Sequence, residues 1–487
     1  MASEQATPPN AGPPERSVSD PTTASDPTTA SDPTTASDPT TVSEPPTVSD
    51  PAPAGGAEAP GAVQLKAMLR SPGYLKLLLL AALIGVPVSL VAFGFLSLEH
   101  ELQHWVWESL PDRLGFARAP WWWPLPTLAL AGVLVAPVLR WMTGHGGHLP
   151  VKGLGGPPQP PKALPSVVLA ALIALPLGTS LGPEVPLMAI GSGLALMAAA
   201  RAQREDRPKA AAIVGTAGST AAIATVFGNP VVGCVMVLEA AGLGGPQLLL
   251  LVLPCLVASG VGALVFTGFG HWTGLGIGAL ALPSLPPSGT PDAGEFLWAV
   301  PIAALIAAVV VGAQSLGWST AAFTRQYTPS RTVVCAVLVG VCTAAYALFT
   351  GRSPEEAALS GQVMLGQLAA DPHAWGVGAL ALLVLCKGLA LGVSLGSLRG
   401  GPIFPVVLIG AAVGIACSGL PGLGTAAGLS IGLAASGAAI TGLPVTATLL
   451  AVLLVGDNAP NAAPLMIVST AVSFLVATLL KRRAPAL

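Results

Sequence analysis

The stretch "TSLGPEVPLM", residues 179–188, decides how this sequence is interpreted. It places one acid, Glu184, between two prolines inside a long apolar region, with no basic residue beside it. Ionisable groups at membrane depth are costly, and by default they are interpreted as functional. A glutamate that caps a helix facing an aqueous loop would produce the same letters. The stretch alone leaves both interpretations open.

Composition shows which kind of protein surrounds Glu184. Hydrophobic residues make up 52% of the 487 positions and charged residues only 9%, which is far too apolar for an ordinary soluble protein. We therefore expect an all-α polytopic membrane protein surrounded by lipid, with no nucleic-acid partner. The six cysteines lie within apolar runs without the spacing of a metal site, so we expect no disulfide framework, no metal and no cofactor.

The N-terminal residues differ sharply from the rest of the chain. Residues 1–64 hold nine acids against the single basic residue Arg16, a net charge of −8. They contain a six-residue repeat, "SDPTTA", whose copies begin at Ser19, Ser25 and Ser31. The copies after these are less exact. Such a composition cannot bury enough apolar area to offset the entropy of ordering, so we predict a disordered acidic tail. It serves either as a solvated spacer or as a binding segment for a partner.

Apolar runs predict how residues 65–487 cross the membrane. The first run, 75–98, is long enough to span a bilayer, and basic residues lie before it and after the last run, so both termini are expected on the cytoplasmic side of the cell membrane. Several later runs have only about 11 to 15 residues and begin at Gly or Pro, which is typical of interrupted helices that line a protein-enclosed cavity. The remaining runs are 121–142, 163–178, 184–202, 209–226, 230–241, 246–268, 295–316, 331–350, 374–396, 404–418, 424–440, 444–455 and 461–480.

Three proline-containing strings are predicted to begin interrupted helices: "GGHLP" from Gly146, "GPEVP" from Gly182 and "GPIFP" from Gly401. A helix start leaves backbone N–H groups without partners and carries a partial positive charge, so it binds anions. At the start of its helix, the Glu184 carboxylate could occupy an ion site as a tethered competitor.

The sequence also contains an internal repeat. "PLMAIGSGLAL" from Pro186 and "PVVLIGAAVGI" from Pro405 share a proline followed by a glycine at the same spacing. A second short apolar run that begins at proline follows each of them. These features favour two halves of similar design.

The ordered strings, together with "FGNPVVGCVMVLE" and "LALGVSLGSLRGG", resemble the CLC family of chloride channels and chloride/proton antiporters. The resemblance runs from about residue 75 to the C-terminus, and no CBS-type domain is expected. It implies a homodimer with one anion pathway per subunit, built from an inverted repeat of interrupted and tilted intramembrane helices, with halves at about 75–268 and 291–481. It also implies chloride, or a similar anion, as the transported ion and Glu184 as the gate and proton carrier. The implied anion-binding residues are Gly146, Gly147, His148, Pro150, Gly182, Val185, Pro186, Gly401, Ile403, Phe404 and Pro405.

The chain departs from the family pattern at informative places. Gly147 replaces the central anion-binding serine, and the anion-coordinating tyrosine near the C-terminal end has no match. Ala240 stands where antiporters often carry an inner proton-transfer glutamate, and the neighbouring Glu239 matches a second family acid. Lys387 matches a basic residue often seen before the third string, or else snorkels toward the membrane surface.

Several functions stay open on the sequence. Within the anion-transport interpretation, passive conduction, proton-coupled exchange and fluoride export are alternatives. A transporter of another solute would use Glu184 and Glu239 to bind a cation. A membrane enzyme is the third class, with Ser180 as nucleophile, but every histidine lies in or beside a connecting segment, so we expect no enzyme.

Overall fold

The described part of the chain is mainly α-helical. The computed structural model describes residues 69–154, 156–202, 208–241, 246–273, 282, 290–325 and 329–481, and the predicted tail 1–64 lies outside them. Within the described ranges the only β-structure is one isolated bridge. The helices are α1 (Pro72–His104), α2 (Leu110–Arg113), α3 (Pro124–Trp141), α4 (Leu164–Ala174), α5 (Glu184–Ala202), α6 (Pro208–Phe227), α7 (Pro230–Ala240), α8 (Pro246–Thr273), α9 (Ala293–Phe323), α10 (Pro329–Thr350), α11 (Gln362–Ala370), α12 (Val377–Ser397), α13 (Ile403–Cys417), α14 (Thr425–Thr441), α15 (Pro444–Val455) and α16 (Ala459–Leu480).

Many of these helices are long enough to cross a membrane. In the part of the chain that the structure describes, nine helical stretches are sufficiently long and apolar, the longest being Pro72–Arg113. Large apolar side chains project from their outer surfaces: Leu264 on α8 is 76% exposed and Leu297 on α9 is 72% exposed. Such a surface suits contact with lipid, whose hydrocarbon cannot satisfy polar groups. The prediction of an all-α multi-pass membrane protein is confirmed.

The short helices predicted at the Gly and Pro breaks are also present. Helices α7, α13 and α15 have 11, 15 and 12 residues, too few to span about 30 Å of hydrocarbon at about 1.5 Å per residue. Each carries a proline within its first three residues, where the missing N–H would have had no helical partner. Proline thus helps to fix where these helices begin.

A three-helix unit occurs twice in the chain. Helix α5 packs on α6 and α6 on the short α7; later, α13 packs on α14 and α14 on the short α15. Both long pairs cross at glycines. A Cβ added at Gly191 would overlap the Gly218 carbonyl oxygen, and one at Gly414 would overlap the Gly428 carbonyl oxygen. Small residues let the backbones of membrane helices approach each other closely, which explains the Gly-rich internal repeat in the sequence.

The sequence-based prediction was wrong at several places, and two of them bear on the site. "GGHLP" does not begin an α-helix: only a 3-10 turn, Pro150–Lys152, follows it, because Gly153 has a φ of 86° and the next residues are rich in proline. Residues 351–373, for which no element was predicted, contain a 3-10 turn, α11 and the start of a second 3-10 turn. This segment matters because its carbonyl groups bind Lys387, as described below.

The glycine crossings predict a specific loss of stability. Gly414→Ala places a methyl group against the α14 backbone, which cannot move aside as a flexible side chain could. We expect the free energy of unfolding to fall by roughly 1–3 kcal/mol, measured by thermal or denaturant unfolding in detergent. Gly312→Ala is the matched control, since nothing lies within 4 Å of a Cβ there. Equal stability of the two variants would contradict close backbone packing of α13 on α14.

Candidate functional site

The second and third strings meet in space. Gly182 and Gly401 form the isolated antiparallel bridge: the Gly182 amide donates to the Gly401 carbonyl at 2.7 Å, and the Gly401 amide donates back to the Gly182 carbonyl. These are the first residues of "GPEVP" and "GPIFP". Two reciprocal backbone bonds therefore hold the starts of α5 and α13 beside each other, although the two segments lie far apart in the chain.

The Glu184 side chain occupies the space between these two helix starts. It is 0% exposed, and its Oε1 accepts a hydrogen bond from the amide of Phe404, the second residue of α13, at 3.0 Å. The carboxylate lies against Gly401, where an added Cβ would overlap it. Glycine is therefore needed at position 401 for the carboxylate to reach α13. The interpretation of Glu184 as a cap facing an aqueous loop is wrong, because its carboxylate is buried against a different helix.

Electrostatics explains why an acid can sit at this place. The start of α13 presents unpaired amides and the positive end of its helix dipole, which stabilise a negative group without a full positive charge. The other carboxylate oxygen of Glu184, Oε2, is buried and has no hydrogen-bond partner among the described residues. The carboxylate thus occupies a site for a negative charge and still leaves one of its own oxygens without a donor.

The remaining residues of the two strings occupy equivalent positions at the starts of their helices. Val185 is the second residue of α5 and Phe404 is the second residue of α13, and a proline follows each, Pro186 and Pro405. All four residues are buried, as is Ile403. Each helix start therefore offers the backbone N–H groups of its first two residues as donors. The third residue is a proline and has no N–H to donate.

The first string, "GGHLP", is connected to this region by an arginine whose role was not predicted from the sequence. Arg399, 1% exposed, donates from Nε to the His145 carbonyl at 3.2 Å, and its aliphatic stem lies 3.0 Å from the position of a Cβ at Gly146. Gly146 and Gly147 have φ values of 73° and 87°, so this loop needs glycine. The signal for Arg399 was present as a lone charge in the apolar string "SLRGG".

A cavity of about 530 Å³ lies against the same region. Its wall includes His148, Gln159, Val185 and Ala240. His148 and Gln159 are hydrogen-bonded to each other through Nε2 and the side-chain amide. Ala240 on this wall is exposed, whereas Val185, directly after Glu184, is only 9% exposed. The cavity therefore extends from the surface to the helix start that carries Glu184.

Glu239 lies at another helix start. Its Oε1 accepts from the Val445 amide, and its Oε2 accepts from the amide and the hydroxyl of Thr446, all at 2.8 Å. These residues open α15, so Glu239 joins the end of α7 to the start of α15. The structure therefore places Glu239 at a separate anion-stabilising helix terminus, where three donors bind it.

Lys387 is fully buried, so the snorkelling interpretation is wrong. Its Nζ donates to the carbonyls of Ala357, Ala358 and Leu359 at 3.1, 2.9 and 3.1 Å. The Leu359 amide in turn donates to the Gly178 carbonyl at 3.4 Å. Lys387 thus ties α12 to the segment that leads into "GPEVP".

Comparisons with known proteins show the family to which this chain belongs. The family described as "Voltage gated chloride channel" matches residues 127–478. The chain is 30% identical over 358 residues to a protein named ion-transport protein YfeO from Escherichia coli O139:H28 (strain E24377A / ETEC), and the match covers 71% of this chain and 80% of that protein. A protein of the same name from Shigella boydii serotype 4 (strain Sb227) has the same identity and coverage.

Solved structures share the fold. A slow cyanobacterial Cl⁻/H⁺ antiporter has a TM-score of 0.68 at 18% identity, covering 84% of this chain and 95% of that chain. A CLC-type fluoride/proton antiporter has a TM-score of 0.63 at 17% identity, covering 83% and 96%. The chain therefore belongs to the voltage gated chloride channel family. Its fold is CLC-like, and its function is anion transport through a CLC-type pore.

The bonds of Lys387 predict the effect of removing its charge. Lys387→Met leaves three buried carbonyl oxygens without their donor, so we expect the free energy of unfolding to fall by roughly 3 kcal/mol, measured by unfolding in detergent. Lys76→Met, at an exposed position on α1, is the matched control and should change stability by less than about 0.5 kcal/mol. A Lys387→Met protein as stable as the control would show that these bonds contribute nothing.

Proposed function

We propose that this protein moves chloride, or a similar small anion, across the cell membrane, and that Glu184 gates the pathway. The observation that carries the proposal is the Glu184 carboxylate bound to the Phe404 amide at the start of α13. A carboxylate and a halide are both monovalent anions that accept hydrogen bonds from N–H groups. The place that holds the carboxylate therefore suits the transported ion.

In this proposal the anion and the Glu184 side chain compete for the same amides. When an anion arrives, or when Glu184 takes up a proton, the side chain leaves the start of α13 and the pathway opens. Backbone amides supply most of the binding, because Gly147 stands in place of the family's anion-binding serine. Partial charges of this kind hold an ion loosely enough for it to leave again.

Proton-coupled exchange is the form of transport that the site favours. Glu184 is buried and can carry one proton, and the cavity lined by His148 and Gln159 offers an aqueous approach to it from the surface. Ala240, which replaces the inner proton-transfer glutamate of many antiporters, lies on the same cavity wall. Glu239 is held at the start of α15 by three donors, so we do not assign it that proton-transfer role.

The family resemblance supports assembly and placement in the membrane. We propose a homodimer with one pathway in each subunit and both termini on the cytoplasmic side. Fluoride export is the second candidate within this class, since a CLC-type fluoride/proton antiporter shares the fold. A cation transporter is disfavoured, because none of the described residues that line the cavity beside Glu184 is acidic.

A flux assay tests the gate. Purified protein in vesicles loaded with chloride is expected to take up protons as chloride leaves. In Glu184→Gln, whose neutral amide mimics the protonated acid, we expect chloride-driven proton uptake to vanish while chloride flux continues.

Glu101→Gln, at an exposed position on α1, is the matched control and should retain both fluxes. The same vesicles tested with nitrate and fluoride establish which anion is preferred. Unchanged proton coupling in Glu184→Gln would overturn the role of Glu184. Flux that needs a cation and ignores chloride would overturn anion transport itself.

A further inference from the structure

Three buried hydroxyl groups near the Glu184 site have no hydrogen-bond partner in the part of the chain that the structure describes. The side chains of Thr179, Ser180 and Ser394 are 0% exposed, and their oxygen atoms find no partner among the described residues. Burying a hydroxyl without a partner is energetically costly. Native proteins retain few such groups, and each one points to strain, to function, or to a bound water or ion.

Ser394 differs from its neighbours on the same helix and on the adjacent one. Ser397 on α12 donates to the Val393 carbonyl four residues earlier, and Thr320 on α9 donates likewise to Leu316. This is the usual way in which serine and threonine hydroxyls are satisfied inside a membrane helix. The Ser394 hydroxyl does not make this bond, so its donor is available to another group.

Two sets of bonds hold the segment before Glu184 beside α12. At one end, Lys387 on α12 bonds to the Leu359 carbonyl, and the Leu359 amide bonds to the Gly178 carbonyl. At the other end, Gly182 bonds to Gly401, four residues after α12 ends. The two segments are therefore attached to each other at both ends.

Side-chain packing supports the same arrangement. Leu177, directly before the first segment, packs against the small buried cluster that contains Ala390 of α12, as does Val393. Residues 178–182 and 387–401 thus run beside each other, and we refer to the region between their two attachment points as the hydroxyl strip.

The three residues that carry these hydroxyls lie between the two attachment points. Thr179 and Ser180 are on the first segment, where the Leu181 amide donates to the Thr179 carbonyl in a tight turn. Ser394 is on α12, seven residues after Lys387 and so on the same face of that helix.

Charged side chains lie at both ends of the hydroxyl strip. The Lys387 ammonium lies at one end, and the Glu184 carboxylate lies at the other, beside the Gly182–Gly401 bridge. The buried Arg399 also belongs to that second end, two residues before Gly401. An anion within the strip would therefore lie between a cation and the side chain that acts as the gate.

We propose that Thr179, Ser180 and Ser394 form a second anion-binding position, on the Lys387 side of Glu184. Hydroxyl donors replace part of the hydration shell of a halide, and the ammonium favours a negative ion over a cation. The position supplies the hydroxyl donors that Gly147 cannot. This inference rests on the proposed anion transport and identifies which side chains select the ion.

Chloride and nitrate flux through vesicles tests the inference. We expect Ser180→Ala and Thr179→Val to lower the chloride rate about tenfold, and to lower the nitrate rate less, because the smaller chloride ion gains more from directed donors. Ser394→Ala should shift the ratio in the same direction. Each variant is measured separately, so that one poorly folded protein does not decide the result.

Ser89→Ala is the matched control. Its hydroxyl is also 0% exposed and without a partner among the described residues, but it lies on α1 against Gly262 of α8. It should retain the wild-type flux and the wild-type ratio of chloride to nitrate rates.

Thermal unfolding gives a readout that does not depend on flux. Chloride should raise the unfolding temperature of the wild type, and Ser180→Ala should need about ten times more chloride for the same rise. Hydroxyl variants that match Ser89→Ala in both assays would overturn this inference while leaving anion transport intact. A wild type that moves no anion at all would instead overturn the proposed function.

Discussion

One hydrogen bond, from the Phe404 amide to the Glu184 carboxylate, is the interaction on which the site depends. It joins a side chain at the start of α5 to the backbone at the start of α13. The bond is possible because Gly182 and Gly401 pair their backbones and neither has a side chain to fill the space. Peptide dipoles thereby stabilise a carboxylate that is fully buried.

The repeated three-helix unit explains how two distant segments reach this position. Helices that cross at glycines bring α5 against α6 and α13 against α14. In both units the first helix carries a proline as its third residue. The two helix starts differ in one essential residue: α5 begins with Glu184 and α13 with Ile403. One start therefore supplies the acid and the other supplies the amides that receive it, which makes the site asymmetric although its scaffold is repeated.

The sequence predicted the membrane class and the short helices, and it singled out Glu184 as an acid in an apolar stretch. Each of these features has a local signal. Run length, Gly and Pro breaks, and an acid in an apolar stretch can all be recognised without a structure. Only the family resemblance placed Glu184 and the start of α13 at one anion site; no local pattern predicts this bond, since a contact between residues so far apart in the chain leaves no local mark. The bonds of Lys387 were missed for the same reason. "GGHLP" was wrongly predicted to begin a helix because the following Gly153 and its prolines were given too little weight.

We propose that an anion and the Glu184 carboxylate use the same amides. Anomalous diffraction from Glu184→Gln crystals grown in bromide tests it most directly, since bromide scatters anomalously and replaces chloride. We expect a bromide ion within hydrogen-bonding distance of the Phe404 amide nitrogen, in the place that the carboxylate oxygen occupies in the wild type. Ordered bromide elsewhere in the protein, with none at the start of α13, would contradict it.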